Sequence, residues 1–257
     1  LARYLLNTFG NRFYLVGSNY VYPYETNRIM RDFIVSSGGK VLEERYLPLL
    51  PAEGDVQAIL SDIKKHEGAV IVSTIVGDGM TDFYNGYRQE GFDTEQMPIA
   101  SLTTGEPEIA AMGTEAAEGH ISSAPYFQSI DTVANLAFTN EYGNLYGSDA
   151  PISACTEAAY LQVHLFAKAA ELSGSIEPEK IKSGLNSVQY AAPQGAVRVD
   201  SQNSHTYLWP RIGKVDARGQ FEVLEDTSSA VKPDPYLSDP GEQSWASSAP
   251  SAQNRVR

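Results

Sequence analysis

The sequence predicts an α/β fold, a parallel sheet with helices on both faces. Up to residue 127, short apolar runs alternate with segments of helical period. Most of these runs are apolar throughout, and a strand with two apolar faces belongs to a sheet covered on both sides. The chain has 257 residues and is 42% hydrophobic, enough for one large core or two modest ones.

Phe13-Tyr14-Leu15-Val16-Gly17 is the first such run and reads as a buried strand. Residues 27–35 carry Met30, Phe33 and Ile34 at helical spacing, and Gly38-Gly39 ends that helix because glycine accepts the left-handed C′ conformation. Val41 to Leu47 reads as a second strand. Asp55 is the candidate N-cap of a helix with Val56, Ile59, Leu60 and Ile63 on one face. The alternation continues with a strand at 69–72, a helix at 80–89 closed by Gly91, a strand at 98–102, a short helix at 106–112 and a strand at 120–127.

The second half reads differently. Residues 132–142 and 154–172 are helical by period, the latter with Ala158, Leu161, Leu165, Ala169 and Leu172 on one face. A third helix follows Glu177, with Pro178 suited to its first turn. Strands are expected at 196–199, 207–209 and 221–224. Residues 238–257, rich in Ser, Ala, Pro and Gln, read as a disordered tail.

Composition narrows the function. Lys and Arg number 19 against 32 Asp and Glu, a formal net charge of −13, with no basic run to offset it locally. A direct nucleic-acid or acidic-lipid surface needs basic patches, so neither is expected. The single cysteine, Cys155, excludes an internal disulfide and a cysteine-based zinc site. No run approaches the roughly 18 apolar residues of a membrane span. The chain opens at Leu1-Ala2-Arg3 without an initiator Met, and an N-terminally truncated segment is the expectation.

Catalytic constellations are absent from the pattern. There is no Gly-x-Ser-x-Gly elbow. Gly77-Asp78-Gly79 sits between a strand and a helix, but Asp82 stands where a dinucleotide loop needs its third glycine, so no cofactor is expected. His66, His120, His164 and His205 are scattered, which leaves no metal site in view. Glu43 and Glu44 on one strand point to opposite faces and cannot cooperate across one bond.

The strand ends are more informative. Ser18-Asn19-Tyr20-Val21-Tyr22-Pro23-Tyr24 follows the carboxyl end of the first strand, where ligands bind in doubly wound sheets. In extended backbone Tyr20 and Tyr22 project to one side, and two phenols suit a small neutral polar molecule. The alternative is a structural aromatic cluster. Ser101-Leu102-Thr103-Thr104-Gly105 ends another strand; its hydroxyls serve either a ligand or the following helix, with Thr104 as candidate N-cap. Ser73-Thr74 poses the same choice.

Several segments together resemble the type I periplasmic-binding-protein superfamily, and within it the amide sensors that negatively regulate aliphatic amidase operons. They are Val16-Gly17-Ser18-Asn19-Tyr20-Val21-Tyr22-Pro23, Gly38-Gly39-Lys40-Val41-Leu42-Glu43-Glu44, Ser73-Thr74-Ile75-Val76-Gly77 and Ala100-Ser101-Leu102-Thr103-Thr104. Ala124-Pro125-Tyr126-Phe127-Gln128-Ser129-Ile130-Asp131, Ala192-Pro193-Gln194-Gly195-Ala196-Val197-Arg198-Val199 and Lys232-Pro233-Asp234-Pro235-Tyr236 complete the series. One departure is Asn19, where relatives often have Asp.

The resemblance implies two α/β lobes that close on a short-chain amide or urea without catalysis. It assigns 1–127 and 195–237 to the second lobe and 128–194 to the remaining part of the first, whose N-terminal part is missing. It carries ligand contact to Tyr20, Tyr22 and Thr103, with Thr104 and Tyr126 as neighbours. The implied partner is an RNA-binding antitermination regulator, held inactive in the cytoplasm until an amide binds. The alternative is the solute-binding protein of a urea or short-chain-amide ABC transporter, exported and working with a permease.

Overall fold

The structure, a computed structural model, describes residues 1–52 and 54–235; the tail expected at 238–257 lies outside the described residues. The chain forms two compact units. The first holds Leu1–Ser129, Pro151–Ser153 and Ile212–Leu224; the second holds Ile130–Ala150, Ala154–Arg211 and the described residues from Glu225 onward.

In chain order the elements are α1 (Ala2–Phe9), β1 (Arg12–Ser18), α2 (Val21–Ser36), β2 (Lys40–Leu47), α3 (Asp55–Ile63), β3 (Val70–Thr74), α4 (Asp78–Gln89), β4 (Ile99–Ser101), α5 (Glu106–Met112), α6 (Thr114–Ala117) and β5 (Ile121–Ala124). The second unit contributes α7 (Val133–Tyr146), α8 (Ala154–Ser173), α9 (Pro178–Leu185), β6 (Gln189–Ala192) and β7 (Gly195–Arg198). The chain then returns as β8 (Arg211–Val215) and β9 (Phe221–Asp226).

The expected α/β fold is present. Seven strands form one sheet in the order β2-β1-β3-β4-β5-β8-β9, and β1 to β5 pair in parallel. Every residue of β3 is buried, as its unbroken apolar run requires of a central strand. Phe13, Leu15, Val70, Val72, Ala100 and Ile121 pack on one face against Met30 and Ile34 of α2 and Leu5 of α1. Glu43 and Glu44 of β2 do separate to different partners, Glu43 to Arg45 and Glu44 to Arg31 and Tyr46.

Two local expectations are corrected. Helix α2 begins at Val21, six residues before the predicted start, so Tyr22, Pro23 and Tyr24 form its first turn and not an extended loop. Proline is tolerated there because the first turn's N–H groups have no intrahelical acceptor. Asp55 is the first residue of α3, whose N-cap is Gly54 at φ 94°; the Asp55 carboxylate accepts the Ala52 N–H at 2.7 Å.

Gly17 sets the seat of α2. A Cβ at that position would lie 2.5 Å from Thr74 Oγ1 and 2.8 Å from Pro23 Cβ. The bare backbone lets the first turn of α2 rest directly on the end of β1, which fixes where Tyr20 and Tyr22 emerge.

In the second unit, Thr132 caps α7 by accepting the Asn135 N–H at 3.0 Å. Leu161, Leu165 and Ala169 of α8 pack against Ile181 of α9 and Val197 of β7, while Leu172 near the helix end is exposed. Strands β6 and β7 form an antiparallel hairpin. The strand expected at 207–209 is only a pair of isolated bridges, Val199 to Thr206 and Leu208 to Val231. The hairpin turn is held from below: Glu157 accepts both the Gln194 backbone N–H (3.4 Å) and its side-chain Nε2–H (2.8 Å). Buried Arg211 donates to the Gln194 carbonyl at 2.9 Å, the Trp209 carbonyl at 3.2 Å and Asp226 Oδ2 at 3.1 Å.

Candidate ligand-binding edge

The strand order places a topological switch point between β1 and β3, because the chain steps from β1 outward to β2 and then back across to β3. Ligands of open parallel sheets bind outside the carboxyl ends of strands at such a point. The segments there are Ser18-Asn19-Tyr20 after β1 and Ile75-Val76-Gly77 after β3, with Leu102-Thr103-Thr104 after the neighbouring β4.

Tyr20 is the N-cap residue of α2, in extended backbone, and its side chain makes no capping bond. Its ring lies 6.3 Å from that of Tyr22, tilted by 33°. Tyr22 is 41% exposed. Tyr24 faces elsewhere: its ring packs against Tyr46 at 4.1 Å, tilted by 39°, and its phenol donates to Asn19 Oδ1 at 2.7 Å. Asn19 is thereby committed to holding Tyr24, while its own N–H donates to the Leu47 carbonyl at 2.7 Å. The structure therefore brings Tyr20 and Tyr22 together as a pair at the sheet edge.

The hydroxyls of the neighbouring strand ends stitch these loops to one another. Ser18 Oγ accepts the Val76 N–H at 3.0 Å, tying the exit of β1 to that of β3. Thr103 Oγ1 donates to the Ile75 carbonyl at 2.7 Å, tying β4 to β3. Ser101 Oγ accepts the N–H groups of Thr103 and Thr104, both at 3.0 Å, and the Thr104 hydroxyl at 2.8 Å. Thr74 Oγ1 donates to Asn27 Oδ1 at 3.0 Å beneath α2.

Thr104 is buried and its hydroxyl also lies 3.1 Å from the Tyr84 phenol, whose pKa burial pushes up to about 12. It does not cap α5; Gly105 is the N-cap residue, and its N–H donates to Glu108 Oε2 at 2.8 Å. Tyr126 is fully buried just beyond β5. Thr103 is partly buried and stands nearest in sequence to the open edge. Of the residues singled out from sequence, Tyr20, Tyr22 and Thr103 thus keep some exposure, and Thr104 and Tyr126 lie behind.

One polar residue at this edge carried no sequence signal. Glu106 opens α5 beside Pro107 and Glu108, a pattern that reads as acidic residues complementing a helix dipole. Its side chain is instead buried, with Oε1 accepting the Gln128 N–H at 2.6 Å. Burial pushes its pKa up to about 7, the N–H groups of Gln128 and of Glu106 itself restrain the rise, and the Glu108 carboxylate adds to it.

His120 is a structural histidine: fully enclosed, it accepts the Ile99 N–H at Nδ1 (2.9 Å), and burial pushes its pKa down to about 3. Among the described residues no group of three or more His, Cys, Asp or Glu side chains converges as metal ligands would, and no helix is long and apolar enough to cross a membrane. The second unit carries a groove of about 420 Å³ lined by Leu161, Leu208, Pro210, Val231 and Pro233 with His205. Its walls are mainly apolar, with Gln162, Thr206 and Lys232 beside His205, and none of its lining comes from the strand ends after β1, β3 or β4, so the tyrosine edge is the better candidate.

A family model described as a periplasmic binding protein domain matches residues 1–241. The Leu/Ile/Val-binding protein homolog 6 of Brucella abortus (strain 2308) is 26% identical over 213 residues, covering 80% of this chain and 53% of its own length. A Geobacillus stearothermophilus protein named limonene hydroxylase is 29% identical over 126 residues, 49% of this chain but 23% of that protein. Among solved structures, a solute-binding protein of an ABC transporter from Rhodopseudomonas palustris HaA2, in complex with p-hydroxybenzoic acid, superposes with a TM-score of 0.80. It is 22% identical, over 92% of this chain and 65% of that one. The chain thus spans about half the length of the Leu/Ile/Val-binding relative and under a quarter of the one named a hydroxylase.

Proposed function

This chain belongs to the periplasmic-binding-protein domain family, and from that premise we propose that it is the ligand-binding part of a solute-binding protein serving an ABC permease. Its ligand is a small neutral amide or urea. The observation that carries this reading is the Tyr20–Tyr22 pair at the switch point, backed by hydroxyls instead of charges. An amide has one face of carbonyl acceptor and one of N–H donors; phenols can meet both, and the Thr103 hydroxyl, which gives its proton to the Ile75 carbonyl, keeps lone-pair capacity to accept an N–H. A carboxylate ligand such as the p-hydroxybenzoic acid of the Rhodopseudomonas palustris protein would call for a cation at the same edge. Here Asn19 is engaged with Tyr24, and the exposed Val21, Tyr22 and Tyr24 beside it carry no cation. Tyr20, Tyr22 and Thr103 are the proposed contacts; Thr104 and Tyr126 support them from behind.

Calorimetry on the full-length protein with acetamide, urea, leucine and p-hydroxybenzoate tests the ligand class. Acetamide or urea is expected to bind, and Tyr22→Ala to weaken binding about tenfold, ~1.4 kcal/mol. Binding of leucine or p-hydroxybenzoate alone overturns the amide reading.

A second reading keeps the ligand and changes the partner: a cytoplasmic sensor that restrains an RNA-binding antitermination regulator. Leu102-Thr103-Thr104 and Ala124-Pro125-Tyr126-Phe127, segments resembling the amide sensors, favour it. Cell fractionation separates the two, since a protein recovered outside the cytoplasm cannot restrain such a regulator.

A further inference from the structure

Glu106 occupies an unusual position in the first unit. It directly follows the Thr103-Thr104-Gly105 loop, and it is only 8% exposed. One carboxyl oxygen holds Gln128 N–H; the other, Oε2, is buried and has no hydrogen-bond partner among the described residues. Gln128 in turn accepts the Ile152 N–H on its side-chain Oε1 at 3.1 Å. The chain leaves the first unit just after Gln128 and Ser129, and re-enters it for Pro151–Ser153. A single carboxyl group is therefore linked through Gln128 to both places, and by covalent continuity to the Thr103 loop.

We propose that Glu106 is a positioning residue for the ligand edge, holding the Thr103–Gly105 loop and Gln128 in a register that shifts when its carboxyl group gains or loses a proton. This rests on the ligand-binding reading above. An ionised carboxylate draws Gln128 N–H more strongly but leaves a buried charge on an oxygen with no donor. The neutral acid relieves that charge and loosens the hold on Gln128.

Beyond the N–H groups of Gln128 and of Glu106 itself, the neighbouring side chains of Glu108, Tyr84, Tyr87, Glu115 and Tyr126 do not offset the charge. On its own helix the Glu108 carboxylate repels it. Helix α4 offers the buried phenols of Tyr84 and Tyr87, the former engaged with Thr104 and the latter with the Met97 carbonyl. On α6, Glu115 is paired with Arg88 of α4. Beyond β5 lies buried Tyr126, and Pro151-Ile152-Ser153 carries no titratable side chain. With burial raising its pKa to about 7, the group changes charge near neutrality. Covering the edge with a ligand excludes water and favours the neutral form, so affinity is expected to be higher on the acidic side.

The test uses full-length protein, with ¹⁵N amide shifts of Thr103, Gly105 and Gln128 followed from about pH 5.5 to about pH 8.5, and acetamide affinity measured over the same range. In the wild type the amides should titrate together with a midpoint of about 7. Acetamide affinity should fall about tenfold across that window if binding moves the carboxyl group by one pKa unit. Glu106→Gln keeps the shape and one acceptor oxygen, and should abolish both changes. An identical titration in Glu106→Gln, or flat amide shifts in the wild type, overturns the proposal. Should Glu106→Gln fail to fold, Glu106→Asp shortens the reach to Gln128 while still ionising, and an unmoved midpoint overturns the proposal equally. Titrating amides without acetamide binding at any pH support the positioning role and refute the ligand class instead.

Discussion

Among the described residues each compact unit buries one glutamate, and burial pushes the pKa of both up to about 7, but the two carboxyl groups are held differently. Glu157 in the second unit receives two N–H groups from Gln194 and feels the Arg211 guanidinium, itself bonded to Asp226 and two carbonyls. Glu106 in the first unit has Gln128 N–H on one oxygen, a partnerless second oxygen, and a carboxylate as its charged neighbour. Equal burial therefore does not imply equal roles. Glu157 is one member of a satisfied polar network that clamps a hairpin turn, whereas Glu106 is left with unspent hydrogen-bonding capacity beside a ligand edge.

The comparison can be broken from the second unit first. Arg211→Ala leaves Asp226, Glu157 and two carbonyls short of a buried cation, and should cost about 3–5 kcal/mol in urea unfolding. A loss below about 1 kcal/mol would mean that the network is not the clamp it resembles. The pH dependence of stability comes next. Because the folded-state pKa of Glu106 is raised from the ordinary 4.5 to about 7, its stabilising contribution is complete below pH 4.5 and is lost as pH rises through 7. That loss, on the order of 3 kcal/mol between about pH 4 and about pH 8, should be removed by Glu106→Gln in unfolding curves recorded at those two pH values. A smaller effect sharpens the contrast. Glu157→Gln turns an NH₂ group toward the Gln194 donors and should cost about 1–3 kcal/mol, whereas the same change at Glu106 should cost nothing above neutral pH. Equal losses for the two variants in thermal melts would erase the distinction.

Much of the first unit was legible in the sequence, because β1, β3 and β4 are largely apolar runs separated by helical periods. The start of α2 was not. Tyr20-Val21-Tyr22-Pro23-Tyr24 has the aromatic and β-branched content of extended chain, and the helix wins there through tertiary seating on Gly17. Strand β8 escaped notice because Arg211-Ile212-Gly213-Lys214-Val215 mixes charge and glycine, and β6 because Gln189-Tyr190-Ala191-Ala192 has little alternation. At the ligand edge, the strand-end rule located Tyr20, Tyr22 and Thr103. It could not tell that the Thr104 hydroxyl turns inward to Tyr84 and Ser101, since a hydroxyl's partner depends on packing. Nor could it separate Glu106 from Glu108, two acids in one helical turn, the first buried and the second partly exposed.

The stitched hydroxyls have a consequence for how such a protein changes over generations. Ser18 and Thr103 are each spent on a neighbouring loop and Ser101 on the loop that follows it, so replacing any of them disturbs a frame shared by three strand ends. Tyr20 and Tyr22 pack ring against ring at 6.3 Å with Tyr22 41% exposed, so exchanging either changes the ligand edge more than the frame. Divergence of ligand preference among descendants of this fold should therefore be written in the aromatic positions, with the hydroxyl frame inherited almost unaltered.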